Sequence, residues 1–119
     1  DFTARDIQQQ CKEKGLPWEK AKAFDNSAPI GEFISKSEMQ NTGNINFHLT
    51  INGEVRQNGN SKDMLFSFEK IIAYVSRFIT LKQGDLIYTG TPAGVGAVAI
   101  GDKLEGYIGD KKLLSFEVK

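Results

Sequence analysis

Two groups of residues have types and spacing that could do chemistry. Near the start, Arg5, Gln8 and Lys12 recur at helical spacing on one face with Asp1 just ahead of them, and Lys20, Lys22 and Asp25 follow in an irregular charged stretch. A guanidinium, a carboxamide and an ammonium on one face can contact a ligand, but on spacing alone the same residues suit a solvated helix face. The second group is the run Leu86-Ile87-Tyr88-Thr89-Gly90-Thr91-Pro92-Ala93-Gly94-Val95-Gly96. An apolar, β-prone entry leads into a turn whose glycines let backbone come close to a neighbour. Successive N–H groups in such a turn form a nest, and the Thr hydroxyls add donors, which suits a carboxylate or an enolate oxygen. A plain glycine-rich connector between strands is the alternative at this point.

Several familiar motifs are excluded by context. Gly94-Val95-Gly96-Ala97-Val98-Ala99 has the G-x-G-x-x-A form of a dinucleotide fingerprint, but Ile100-Gly101-Asp102 interrupts the helix that must follow, and no βαβ unit surrounds it. The same loop lacks the Gly-Lys-Ser/Thr ending of a phosphate loop. His48 is the only histidine, which rules out multi-histidine metal sites; its place in the middle of a strand pattern predicts a surface histidine. The single cysteine, Cys11, excludes a disulfide framework and fits a reducing compartment. Lys plus Arg and Asp plus Glu number fifteen each, without the basic footprint of a nucleic-acid binder. No apolar run approaches the roughly 18 residues of a membrane span, and no signal-peptide pattern opens the chain. Nucleic acid and membrane are therefore not expected partners.

The elements that must position these residues can be read in order. Thr3-Ala4-Arg5-Asp6 has the form of a capping box ahead of a helix from about Ala4 to Lys14, with Gly15 as its left-handed stop and Pro17 beyond. Residues 15–31 show neither period and read as an irregular, ordered loop. Ile45, Phe47, Leu49 and Ile51 alternate with Asn46, His48 and Thr50, predicting a half-buried strand that turns at Asn52-Gly53 and pairs back from Glu54 to Gln57. Ser67 caps a second helix whose apolar stripe, Phe68, Ile71, Ile72, Val75, Phe78 and Ile79, is expected to pack on the sheet. After the turn Lys82–Asp85 comes a strand leading into the glycine loop, and the chain finishes as a hairpin, Lys103 to Ile108 and Lys111 to Lys119. Strands with two interspersed helices and no βαβ rhythm give a strand-rich α+β class with an antiparallel or mixed sheet. The 119 residues make one domain.

Taken together, Asp1-Phe2-Thr3-Ala4-Arg5-Asp6-Ile7-Gln8, Gly15-Leu16-Pro17-Trp18 with Ala21-Lys22-Ala23-Phe24-Asp25, and Gly84-Asp85 running into the glycine loop resemble the fumarylacetoacetate hydrolase family. The likeness is greatest to its small members, the acylpyruvate hydrolases and oxaloacetate decarboxylases. Asn52-Gly53-Glu54 and Arg56-Gln57 also fit that pattern. The resemblance implies a mixed β-sandwich roll, with residues 1–119 as the C-terminal part of a single catalytic domain. It implies cleavage of a β-diketo or α-keto acid (hydrolysis of an acylpyruvate or fumarylpyruvate, or decarboxylation of oxaloacetate) through a metal-chelated enolate. Hydration of a 2-keto-4-enoate, enol–keto isomerisation, and a non-catalytic binding module are the alternatives.

By the same resemblance, Lys22 and Gln8 are the catalytic residues, Arg5, Gly90 and Thr91 bind substrate, and Asp1 is a metal ligand. Lys12 and Lys20 have no such match. The implied metal is magnesium, with manganese or calcium as alternatives, because hard oxygen ligands suit it. The family's other metal ligands, a Glu-x-Glu pair, are not among these residues, and neither is the His-Glu dyad of its hydrolytic members. The chain by itself is accordingly expected to be inactive. A small keto-acid substrate, a homodimer and a cytoplasmic location complete the expectations.

Overall fold

A computed structural model describes residues 1–39 and 41–119. Asp1–Ile30 and Gly31–Lys119 form two compact units.

The first unit is built on helix α1, Arg5–Lys14, which Gly15 ends in the left-handed region at φ 62°. The Thr3 capping box does not form: Ala4 occupies the N-cap position without a side-chain cap, because the Thr3 hydroxyl is taken by Lys22 Nζ at 2.8 Å. The stretch read as an irregular loop contains one helical turn, α2, Glu19–Lys22, too short to show a period in sequence. Backbone hydrogen bonds from Phe2 N–H to the Ser27 carbonyl and from Ala4 N–H to the Ala21 carbonyl pin the opening residues along α2. Gln8, Cys11, Ala21 and Ser27 are buried between these pieces, so Cys11, placed by sequence in a polar run, is a core residue. Lys12 lies over the Trp18 ring, 5.3 Å from its centroid.

The second unit carries a four-stranded antiparallel sheet in the order β2-β1-β3-β4, comprising β1 (Asn46–Ile51), β2 (Glu54–Asn60), β3 (Lys103–Ile108) and β4 (Lys111–Glu117). The strand-rich α+β class read from sequence is present, with α2 as a third helix. Asn52 and Gly53 take φ 53° and 83°, the two positive angles of a tight hairpin turn. The polar face of β1 is only partly left to solvent, at Asn46. Thr50 is buried, and His48, expected at the surface, is half-buried and stacks on Tyr107 across the sheet with 4.4 Å between ring centres.

Helix α3, Phe68–Val75, is capped by Ser67, whose hydroxyl accepts from the Lys70 N–H. It is shorter than its apolar stripe, because the chain tightens into a turn with Phe78 N–H on the Val75 carbonyl. Its packing is also looser than expected: no α3 residue is buried. Phe68 and Ile71 instead line an open cleft of about 800 Å3 with Ile45, Phe47 and Ile108.

Both edge strands carry a bulge. Leu49 pairs with Gln57 and Thr50 with Val55, which leaves Arg56 as the extra residue of β2. Gly106 pairs with Leu114 and Tyr107 with Lys112, which leaves Leu113 as the extra residue of β4. A bulge turns a strand's polar groups out of the ladder, and both carbonyls are used. The Leu113 carbonyl accepts from Glu32 N–H at 2.7 Å and lies where a side chain on Gly31 would stand. The Arg56 carbonyl lies in the same way against Gly94.

Candidate functional site

In the first unit the structure brings together Asp1, Thr3 and Lys22. The Lys22 ammonium is 2.8 Å from Thr3 Oγ1 and 3.4 Å from each Asp1 carboxylate oxygen. Both charged side chains stay about a third exposed, 35% and 38%, so the pair is a positioning device more than a source of stability. One turn into α1, Arg5 Nη1 donates to Gln8 Oε1 at 3.1 Å. This fixes the otherwise symmetric-looking carboxamide of the buried Gln8 and assigns its remaining N–H groups as donors. Thr3 is the residue sequence reasoning missed: the helix-cap pattern concealed a partner nineteen positions away.

In the second unit the glycine loop does not begin as a strand. Among the described residues Leu86–Gly96 lies outside the sheet. The loop is instead seated on β2. Gln57 Nε2 donates one hydrogen to Thr91 Oγ1 at 2.8 Å and the other to the Pro92 carbonyl at 3.1 Å. Gly94, at φ 98°, meets the Arg56 carbonyl, and the Arg56 guanidinium lies over Gly96. Gly90 also has positive φ, 100°, but has open space where a side chain would be. Among the described residues no hydrogen bond occupies the N–H of Gly90 or Thr91. The two glycines thus differ: Gly94 is required by packing, and Gly90 by backbone conformation alone. Gln57 is the second residue whose role sequence reasoning missed.

The implied metal does not fit these residues by themselves. Among the described residues no three His, Cys, Asp or Glu side chains come together to hold an ion, and the Asp1 carboxylate faces a cation already. One carboxylate is too little for magnesium. No described helix is long and apolar enough to cross a membrane.

The second unit is a strand-rich α+β arrangement with a glycine loop seated on its sheet, and the first unit holds an ammonium between a hydroxyl and a carboxylate. The chain belongs to the fumarylacetoacetate hydrolase family: the family's "fumarylacetoacetate (FAA) hydrolase C-terminal" description matches residues 1–119. It is 47% identical over 119 residues to the mitochondrial oxaloacetate tautomerase FAHD1 of Rattus norvegicus, covering all of this chain and 54% of the relative. It is 50% identical over 107 residues to the oxaloacetate tautomerase YcgM of Escherichia coli K12, covering 87% of this chain and 48% of that protein. The crystal structure of fumarylpyruvate hydrolase from Pseudomonas aeruginosa, in complex with Mn2+ and pyruvate, superposes with a TM-score of 0.88 at 42% identity, over 98% of this chain and 50% of that one. These relatives are enzymes, and the chain spans about half the length of each.

Proposed function

We propose that the complete protein interconverts the keto and enol forms of a small α-keto diacid such as oxaloacetate. The observation that carries this reading is the Lys22 ammonium, held by Thr3 at 2.8 Å and by Asp1 at 3.4 Å. In the reaction a proton leaves the carbon beside the ketone, the electron pair moves onto the ketone oxygen, and that oxygen takes up a proton to give the enol. The charge that develops is on oxygen, and a preplaced ammonium stabilises it without reorganising. Arg5 and the free N–H groups of Gln8 would bind keto-acid oxygens, and the Thr91 hydroxyl with the Gly90 and Thr91 N–H groups would hold a carboxylate. The tautomerase relatives at 47% and 50% identity support this choice.

A second reading, carbon–carbon bond hydrolysis of a fumarylpyruvate-like substrate, is supported by the fumarylpyruvate hydrolase likeness, and the same enolate serves it. Asp1 could supply one oxygen to a divalent cation, magnesium first and manganese or calcium as alternatives, with the other ligands from outside this chain. Pairing into a homodimer is proposed on the exposed apolar residues Ile72, Tyr74 and Phe78, and sedimentation of the complete protein would check it.

The test is to give the complete protein enol-oxaloacetate and follow ketonisation by ultraviolet absorbance. Acceleration that Lys22→Ala removes is the expected result. Cleavage of fumarylpyruvate without any effect on oxaloacetate would move the assignment to the hydrolase reading.

A further inference from the structure

We infer that Gln57 is a positioning residue for substrate binding: its carboxamide sets the direction in which the Thr91 hydroxyl donates. This rests on the reading of Thr91 as the carboxylate-holding hydroxyl. A hydroxyl has one proton to give and can accept at its lone pairs. Gln57 Nε2 donates to Thr91 Oγ1 at 2.8 Å and so occupies the acceptor side, leaving the Thr91 proton for a partner outside the loop. The second hydrogen of the same nitrogen goes to the Pro92 carbonyl at 3.1 Å, so the amide cannot swing away without losing both bonds. With both hydrogens placed, the nitrogen is assigned as the atom facing the loop, because an amide oxygen there would oppose the Pro92 carbonyl.

Three further contacts hold Gln57 and the loop in this relation. The Arg56 carbonyl, freed by the bulge, seats Gly94. The Gln57 side chain itself reaches within 3.2 Å of where a Gly94 side chain would stand. At the far end of the strand segment, Gly59 leaves the space that Pro92 and Phe47 fill. The bulge also decides which way Gln57 faces. Counted from the Asn52-Gly53 turn, an unbroken ladder would set Gln57 opposite His48, whereas the bulge sets it opposite Leu49, on the other face.

The discriminating variant is Gln57→Glu, which keeps the shape but can only accept, so the Thr91 proton turns toward the new carboxylate. In the complete protein, KM for the keto diacid should rise roughly tenfold or more, the effect of losing a hydrogen bond to a charged group, while kcat changes little. Because a carboxylate also repels an anionic substrate, the variant is paired with Gln57→Met, which removes the donors without adding charge, and each is combined with Thr91→Val. If Gln57 acts through Thr91, Gln57→Met raises KM alone and adds nothing in the Thr91→Val background. An unchanged KM in Gln57→Met, or full additivity with Thr91→Val, overturns the inference while Thr91→Val still raises KM. If Thr91→Val leaves KM unchanged, it is the carboxylate-binding role of Thr91 that fails. Melting temperatures of all variants identify any loss of KM that comes from unfolding.

Discussion

The Lys22 cluster and the glycine loop each hold one polar side chain in place, by different physics. Lys22 is held by charge and by a hydroxyl that the helix start gives up. Thr91 is held by a neutral amide 34 positions away and by a close backbone fit at Gly94. An exposed ion pair is screened by salt and tolerates small shifts, whereas an amide with two placed hydrogens and a glycine with no room for a side chain tolerate almost none. Positioning by charge is therefore forgiving in geometry, and positioning by fit is forgiving in ionic strength.

The largest break in this comparison is at Lys22. Lys22→Ala in the complete protein should lower turnover about 10²–10⁴-fold with little change in melting temperature; turnover within twofold of the parent would remove Lys22 from the chemistry. Gly94→Ala attacks the other side. It combines an unfavourable φ of 98° with a collision against the Arg56 carbonyl, and should cost about 1–3 kcal/mol in denaturant unfolding, more than Gly90→Ala, where only the backbone angle is strained. Equal costs would mean that the seat on β2 is not a constraint.

A smaller effect sharpens the contrast. Thr3→Val removes the 2.8 Å partner of Lys22 but leaves the Asp1 pair, so turnover should fall only severalfold, equivalent to about 1 kcal/mol, and should become more sensitive to added salt.

The smallest expected effect belongs to Glu105, an ion pair outside both groups. Hydrogen bonds from Lys112 and Lys103 hold its carboxyl at about 2, below its ordinary 4.5. A lowered folded-state value means stabilisation that is present above the ordinary value and fades as pH falls toward 2. Glu105→Gln should lower the melting temperature slightly at and above pH 4.5, the small amount expected of pairs with exposed lysines, and by progressively less as pH falls toward 2, which flattens the acid slope. An unchanged acid slope would mean that the lysines do not hold the carboxyl.

What could be read in the sequence was local. Gly15 ending α1, Ser67 capping α3, Asn52-Gly53 turning the first hairpin and the strand β1 itself each depend on residues a few positions apart, and each is found. The failures required a distant partner. Thr3 reads as a cap until Lys22 takes its hydroxyl. The entry to the glycine loop reads as a strand, yet among the described residues Leu86–Gly96 joins no sheet, and the α3 stripe promises packing that its exposed Ile72, Phe78 and Ile79 do not find. His48 reads as a surface residue because alternation does not foresee the Tyr107 ring opposite it. The site residues Asp1, Arg5, Gln8, Lys22, Gly90 and Thr91 came from family likeness. The supports around them, Thr3 and Gln57, came from geometry.

The extra residue in β2 has a consequence for how this strand can change. Deleting Arg56 would join Val55 to Gln57 in a regular ladder, with each still opposite its present partner on β1. The sheet would gain order and Gln57 would keep its face, but the carbonyl beneath Gly94 would be gone. Tidiness of the sheet and seating of the loop therefore pull in opposite directions at one position. A shorter, more regular β2 would be the better strand and the poorer foundation.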